Sequence, residues 1–574
     1  MASNQTGRAR MLRRYGPIGL IVVVVLVIVL VTVVIGGGDD DDGDTASGGD
    51  VGTEEELIRS GPMTPQKAEL LGEEDVDFGP DCDEETGQVA IPFLRAAPCV
   101  EPFEGNNGGD ASTGVTGDQI RVIFHQTDPS ADPLLSATVR GTGAEVAPET
   151  ACETAQGYAE IFNRYYETYG REVVIDCFLS NAAASDIEAA RADAISIAEG
   201  DPFAVFGAPA LAVPTFSGEL ATREVVCVGT CATATSVDQL EADAPYIYPT
   251  GIAPEQAAEL TAEMISNQAP AGEPAQYAGD PALQEQERVY GVLHFNNELN
   301  QYEGNFNALV DGLADRGIEV ETDAEFFLDL NRAQEIARTV ITRFKNAGVT
   351  TVILTTDPIM PGSFTTEATA QEFFPEWILG PNVLADTAIF ARTYDQEQWQ
   401  NAFGMQLTGG PEEEEIDAYY SLYQWFHGTP PPNNTYGVIA PSVSQLFTGI
   451  TLAGPDLTAA TFGDGLFRAP PTGGTPLLPL ISFGRDGYWR GVDRSGSDDA
   501  ALIWWDPNTE GPDEVGQEGV GLYRYANGGR RYPLDDWPSA ARSGLYDDAA
   551  SVTLFDELPP EDEVPDYPSP AGGG

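Results

Sequence analysis

Between Val115 and Thr233 short apolar runs alternate with longer stretches whose apolar positions recur every three or four residues, which predicts strand and helix in turn. Residues 120–124 form a compact apolar run bounded by Asp118 and by His125-Gln126-Thr127-Asp128, and predict a buried strand ending in a polar loop. Ala155, Tyr158, Ile161, Phe162 and Tyr165 then share one face of a helix that Gly170 closes. The order repeats: strand at 173–178, alanine-rich helix at 185–199, strand at 204–207, helix at 216–223 and strand at 225–228. Alternation at this pitch implies parallel strands joined by right-handed crossovers, with ligands bound beyond the carboxyl ends of the strands.

Pro245, Pro249 and Pro254 then interrupt regular structure and mark a crossover, after which a helix is expected at 255–268. A second round follows: strand at 289–293 leading into His294-Phe295-Asn296-Asn297, helix at 302–314, strand at 319–326, helix at 332–346, and strand at 350–354 leading into Thr355-Thr356-Asp357. The two rounds echo each other, with a histidine and a polar loop after the first strand of each, at His125 and at His294. Both loops are expected to point into a cleft between two lobes.

From about Trp377 the chain is expected to return to the first lobe, with two short strand-like pieces within 377–395 and helices at 412–426 and 442–454. Beyond Gly484 the sequence is aromatic and rich in turns, and reads as β structure. The fold class is therefore α/β, two lobes of parallel sheet flanked by helices. The expected division is lobe 1 at 113–252 with 387–480, lobe 2 and hinge at 253–386 with part of 481–540, and a disordered acidic tail at 541–574.

Residues 18–35 are an almost unbroken apolar run that as a helix spans roughly 27 Å, enough for a bilayer core. Arg8, Arg10, Arg13 and Arg14 precede it and an aspartate-rich stretch follows it. The expectation is a cytoplasmic N-terminus at 1–16, a single transmembrane anchor at 17–35, and the remaining mass outside the cell membrane; the alternative is a cleaved signal peptide. Residues 36–112 read as an acidic linker and a cysteine-pinned extension. The acidic run at 39–42 does not meet the spacing of a calcium loop and reads as a solvated spacer.

A net charge of −63, from 91 acidic and 28 basic residues of which only Lys67 and Lys345 are lysines, argues against a nucleic-acid partner. Six cysteines fit three disulfides in an oxidising compartment. Cys82 and Cys99 flank a short loop, Cys152 and Cys177 fall at the same edge of a parallel sheet, and Cys227 and Cys231 close a small loop. That last pair is also open to a metal or redox reading.

The stretches GVTGDQIRVIFHQTDP, FAVFGAPALAVPTFSGELATREVVCVGTCAT and APYIYPTGIAPEQ together resemble the type 1 periplasmic binding proteins, the superfamily of the branched-chain amino acid receptors of ABC importers. AQYAGDPALQEQERVYGVLHFNNE, DPIMPGSFTTEATAQEFFPEW, ITLAGPDLTAATFGDGLF and IWWDP resemble a longer, actinobacterial branch of it, and the likeness runs from about Val115 to about Pro538. The resemblance implies two α/β lobes joined by three crossovers and closing on a small solute. It implies that the loops after the third and fourth strands hold the ligand, here Gly207 and Ala208, then Thr230, Cys231, Ala232 and Thr233. Second-lobe contacts are implied at Tyr302, at Thr356 and Asp357, and at Asn382 or Asp386, with Asn297 in the loop after His294. The bland alternatives are that Tyr302 packs a helix and that Asp357 caps a turn; His125 and His294, expected to face each other across the cleft, lack a clear acidic third ligand, so no metal is expected there.

The function expected is a membrane-anchored extracytoplasmic solute-binding protein that captures a small polar, amino acid-like or amide-like ligand by hinge closure. Its partners would be that small molecule and the permease of an ABC importer, with no cofactor. A ligand sensor or envelope interaction protein on the same fold is the alternative. No G-x-S-x-G, P-loop, H-E-x-x-H or G-x-G-x-x-G stretch is present, so an enzyme is not expected.

Overall fold

The computed structural model describes residues 53–131, 147–183, 186–209, 212–296, 303–327, 329, 331–380, 384–485, 487–514 and 517–572. The expected membrane anchor at 17–35, and Asn297, Tyr302 and Asn382, lie outside the described residues. Among the described residues no helix is long and apolar enough to cross a membrane.

The extension is folded from Thr53 onward. Thr53 and Glu56 form a capping box that starts helix Glu54–Ser60, and Thr64 caps helix Pro65–Leu71. Strands β1 (Cys82–Asp83) and β2 (Gln88–Val89) pair antiparallel, and a disulfide ties Cys82 at the start of β1 to Cys99, beyond β2. Leu57, Val89, Ile91 and Phe93 enter the core of the first lobe. The segment is thus part of that lobe, since its apolar residues have a surface to bury against, and only its residues before Thr53 remain as the expected linker.

The first lobe carries β3 (Gln119–Thr127), β4 (Glu172–Ser180), β5 (Ala204–Phe206), β6 (Val226–Val228) and β7 (Ile247–Tyr248), all parallel and ordered β4-β3-β5-β6-β7. Strand alternation divides its side chains. Ile120, Val122 and Phe124 face helices Pro148–Tyr165 and Tyr436–Ala453, while Ile123, Val205 and Cys227 face helices Ile187–Ala198 and Val213–Thr222. A Cys152–Cys177 disulfide ties the first helix to β4, and Cys227–Cys231 closes the turn after β6.

The second lobe carries β8 (Tyr290–Phe295), β9 (Val320–Phe326), β10 (Thr351–Thr355), β11 (Glu376–Leu379) and β12 (Ala402–Gln406) in parallel. Two antiparallel strands, β13 (Asp499–Pro512) and β14 (Glu518–Tyr525), extend the sheet, and β15 (Arg531–Pro533) pairs with β13. The order is β9-β8-β10-β11-β12-β13-β14. The C-terminal β structure expected from the aromatic pattern is therefore the edge of this sheet.

Four expectations are corrected. The chain does not cross back at Trp377 or 387: Trp377 is buried in β11, and β12 still belongs to the second sheet, so the return follows Gln406. The second strand-like piece of 377–395 is helix Ala388–Ala391, packed beside β14. Helices Met360–Ala370 and Ala459–Arg468 had no counterpart in the pattern. Residues 541–572 are not a free tail, because Tyr567 Oη donates to Asp83 at 2.6 Å and Trp425 Nε1 donates to Tyr567 O at 2.9 Å.

Candidate functional site

Three segments cross between the lobes: one around 249–254, one around 407–412 and one around 481–498. Between the lobes, and walled by these crossings, lies a cavity of about 910 Å³, a size that suits a small solute. The first lobe contributes Thr233, Ala234 and Ser236, beyond the carboxyl end of β6. The second contributes Phe295 from β8 and Thr355, Thr356 and Asp357 from the end of β10. This is where parallel sheets place ligands, because strand ends and helix N-termini converge there.

The expected site residues separate into two groups. Thr233, Thr356 and Asp357 line the cavity. Thr356 Oγ1 is turned back onto Asp357 O at 2.8 Å, whereas Thr233 is exposed and its hydroxyl reaches only Thr230 O at 3.3 Å. Asp357 is almost fully buried; its Oδ1 accepts from Ile359 N at 2.7 Å and Met360 N at 3.0 Å, capping helix Met360–Ala370, while Oδ2 has no hydrogen-bond partner. Burial pushes this carboxyl up to about 6, against the opposing pull of those two amides. Asp357 is therefore both the turn cap of the alternative reading and a cavity-wall residue.

The other group is not in the cavity wall. Gly207 N donates to Thr230 Oγ1 at 3.2 Å, Thr230 N donates to Ser442 Oγ at 3.1 Å, and the two hydroxyls lie 3.3 Å apart. These atoms lock the β5 and β6 turns onto helix Tyr436–Ala453. Gly207 is required there, with φ of 75° and a hypothetical Cβ 2.3 Å from His125 O. Cys231 and Ala232 are fully buried, and Ala208 packs on the second face of the first sheet. Asp386 lies away from the cavity, its carboxyl pushed up to about 7 by burial and by the charge of Glu514.

The two histidines do not face the cleft. β3 runs on to Thr127, so alternation turns His125 toward the helix layer, where it lies between Phe178 and Phe216 with Nε2 3.3 Å from Asp193. His294 likewise stacks on Phe306 at 3.8 Å and meets Asp323 at 3.3 Å. Among the described residues no group of three or more His, Cys, Asp or Glu is arranged to hold a metal ion.

Several wall residues were not singled out in the sequence. The crossings bring Thr250, Glu255, Thr408 and Glu412 to the cavity, and helix Ala418–His427 brings Asp417 and Tyr419 at its start. Burial, with the charges of Asp417 and Asp562, pushes Glu412 up to about 8, and its Oε2 has no hydrogen-bond partner. Arg95, from the extension, is the one basic side chain in the wall among the described residues. The prolines of 243–256 were the usable signal for Thr250 and Glu255; no local signal pointed to Arg95 or Glu412.

No family model matches the chain and no curated protein matches it. Among solved structures, the chain is similar to an ABC transporter substrate-binding protein from Desulfitobacterium hafniense, with 14% identity, 70% of this chain and 99% of that chain covered, and a TM-score of 0.45. It is similar to a branched-chain amino acid transporter substrate-binding protein from Streptococcus pneumoniae in complex with isoleucine, with 12% identity, 71% and 100% covered, and a TM-score of 0.44. A fatty acid ABC transporter substrate-binding protein from Thermomonospora curvata is similar at 13% identity, with 76% and 98% covered and a TM-score of 0.44.

Proposed function

We propose that this chain is an extracytoplasmic solute-binding protein, held at the cell membrane by its N-terminal apolar segment, that captures a small polar ligand for an ABC importer. The observation that carries the reading is the cavity of about 910 Å³ between two α/β lobes joined by three crossings. A ligand touching Thr233 on one side and Thr356 or Asp357 on the other has more contacts when the lobes are closed than when they are apart. It would therefore shift the population toward closure by its differential affinity for the two states. Amino acid-like and amide-like solutes are the class we assign to it.

The test is the melting temperature of the full chain against a panel of amino acids, amides, short peptides, urea and aromatic acids, since a ligand that binds only the folded state raises it. A rise with one class, reduced by Thr233→Ala, supports the reading. A folded chain that responds to nothing in the panel counts against it.

A further inference from the structure

We infer that Arg95, carried into the cleft by the N-terminal extension, is the residue that receives a carboxylate of the solute. The inference rests on the cleft being the solute site.

Arg95 is held in place from several sides. The Cys82–Cys99 disulfide encloses its segment, Phe93, Ala96 and Ala97 are buried in the first lobe, and Ala97 N donates to Tyr166 Oη at 3.0 Å. Its Nη2 donates to Pro479 O at 2.7 Å, which sets the guanidinium against a cavity-lining segment. Its Nε is buried without a hydrogen-bond partner, and Arg95 is in no ion pair among the described residues. In a chain with 91 acidic residues a basic side chain has no shortage of potential partners. The charge of Arg95 acts on the buried Asp562 carboxyl without forming an ion pair with it, and at the wall of a solute-sized cavity such a guanidinium is suited to a carboxylate brought from outside.

The loops expected to hold an anion do not compete with it. Thr230 and the Gly207 amide are committed to each other and to Ser442, while the exposed Thr233 hydroxyl makes only a long bond, 3.3 Å, to Thr230 O. Three of the wall's acids are held by backbone amides of their own. Glu255 Oε2 accepts from Val237 N at 3.2 Å, Asp357 Oδ1 caps one helix, and Asp417 Oδ1 caps another through Tyr419 N and Tyr420 N. Burial and the charges of Asp417 and Asp562 push the Glu412 carboxyl up to about 8, which favours its protonated form, an O–H donor. The extension is thus a working wall of the cleft, and its arginine selects for acids.

The experiment titrates the full chain calorimetrically with matched acid and amide pairs: isoleucine and isoleucinamide, benzoic acid and benzamide, 4-methylpentanoic acid and its amide. For at least one pair the acid is expected to bind at least 10-fold tighter than the amide. Arg95→Gln should weaken that acid about 10- to 100-fold, the worth of a hydrogen-bonded charge, and leave the amide unchanged. Arg95→Lys, which keeps the charge, should retain part of the preference and guards against Arg95→Gln failing to fold. Equal binding of acid and amide, or an acid bound as tightly by folded Arg95→Gln, overturns the inference. Binding of amides or amines alone overturns the role of Arg95 and leaves the solute-binding reading standing; no binding in either series overturns both.

Discussion

Thr230 and Ser442 are hydrogen-bonded across two elements more than two hundred positions apart in the chain, with Thr230 N donating to Ser442 Oγ at 3.1 Å. The bond fixes the turn after β6 to helix Tyr436–Ala453, and Thr230 Oγ1 passes the tie on to Gly207 N. Thr230 is consequently a scaffold residue and Thr233, three positions later, the exposed one. Thr230→Val should lower stability by about 1 kcal/mol in urea denaturation and change solute affinity little. Thr233→Ala should do the reverse. A large loss of affinity in a stably folded Thr230→Val chain would return that loop to the ligand.

The second lobe has a buried ion pair at its base. Arg288 Nε and Nη2 donate to the two carboxylate oxygens of Glu376 at 2.9 and 3.0 Å, both side chains being essentially inaccessible to water. Tyr277 N and Thr351 Oγ1 complete the carboxylate's partners at 3.0 and 2.7 Å. Glu376→Ala leaves a buried guanidinium uncompensated and should cost about 3–5 kcal/mol. The double change Arg288→Met with Glu376→Leu should cost clearly less than Glu376→Ala alone; equal or greater cost in chemical denaturation would contradict this account.

Much of this architecture was legible because its signals are local. Residues 120–124 are apolar without a break, and any chain with that pattern gains by burying them. Helix Ala459–Arg468 was not legible because Gly463 and Gly465 read as loop residues. Here they permit contact: a Cβ on Gly465 would lie 2.3 Å from Gly449 O in the neighbouring helix. Met360–Ala370 buries residues on several sides and shows no polar stripe. In the site, Asp357 was legible from its place after an apolar strand. Arg95 was not, because Pro479 is nearly four hundred positions away and the surrounding sequence reads as linker. The histidine–loop echo misled, since each strand runs past the point where the apolar run stops.

The pH dependence of stability should be set by carboxyls whose burial favours the protonated form. Burial and the proximity of the two carboxyls push the Asp493–Asp498 pair well above the usual carboxylate range. Asp498 accepts from Trp489 Nε1 at 2.7 Å and Ser482 Oγ at 2.5 Å, and Asp493 from Gln256 Nε2 at 2.9 Å. The folded state keeps a proton that the unfolded chain releases near its ordinary value of about 3.9. Stability from this pair is therefore full below that value and is lost as pH rises through the pair's raised titration range. Glu412, up to about 8, acts in the same direction. The urea midpoint should be lower at pH 9 than at pH 6, and Asp498→Asn should flatten that fall. Identical profiles for the two chains would contradict the assignment.

Removing the disulfide that encloses Arg95, by Cys82→Ser with Cys99→Ser, should cost about 3 kcal/mol for a closed loop of this length. It should also weaken acid binding in the cleft, because the segment that positions the guanidinium is freed. The cleft-remote pair Cys152–Cys177 should affect stability alone. Matched calorimetric titrations of the two double variants separate these outcomes.

The central claim is that the two lobes close on a solute. All six cysteines are paired, so cysteines introduced at Glu241 and Asn307, exposed positions on helices at opposite sides of the cleft, can be labelled selectively. The distance between spin labels at these positions should shorten when the solute that raises the melting temperature is added, and return when it is removed. Binding of that solute with no change in the distance distribution would contradict closure, and with it the function proposed for the cleft.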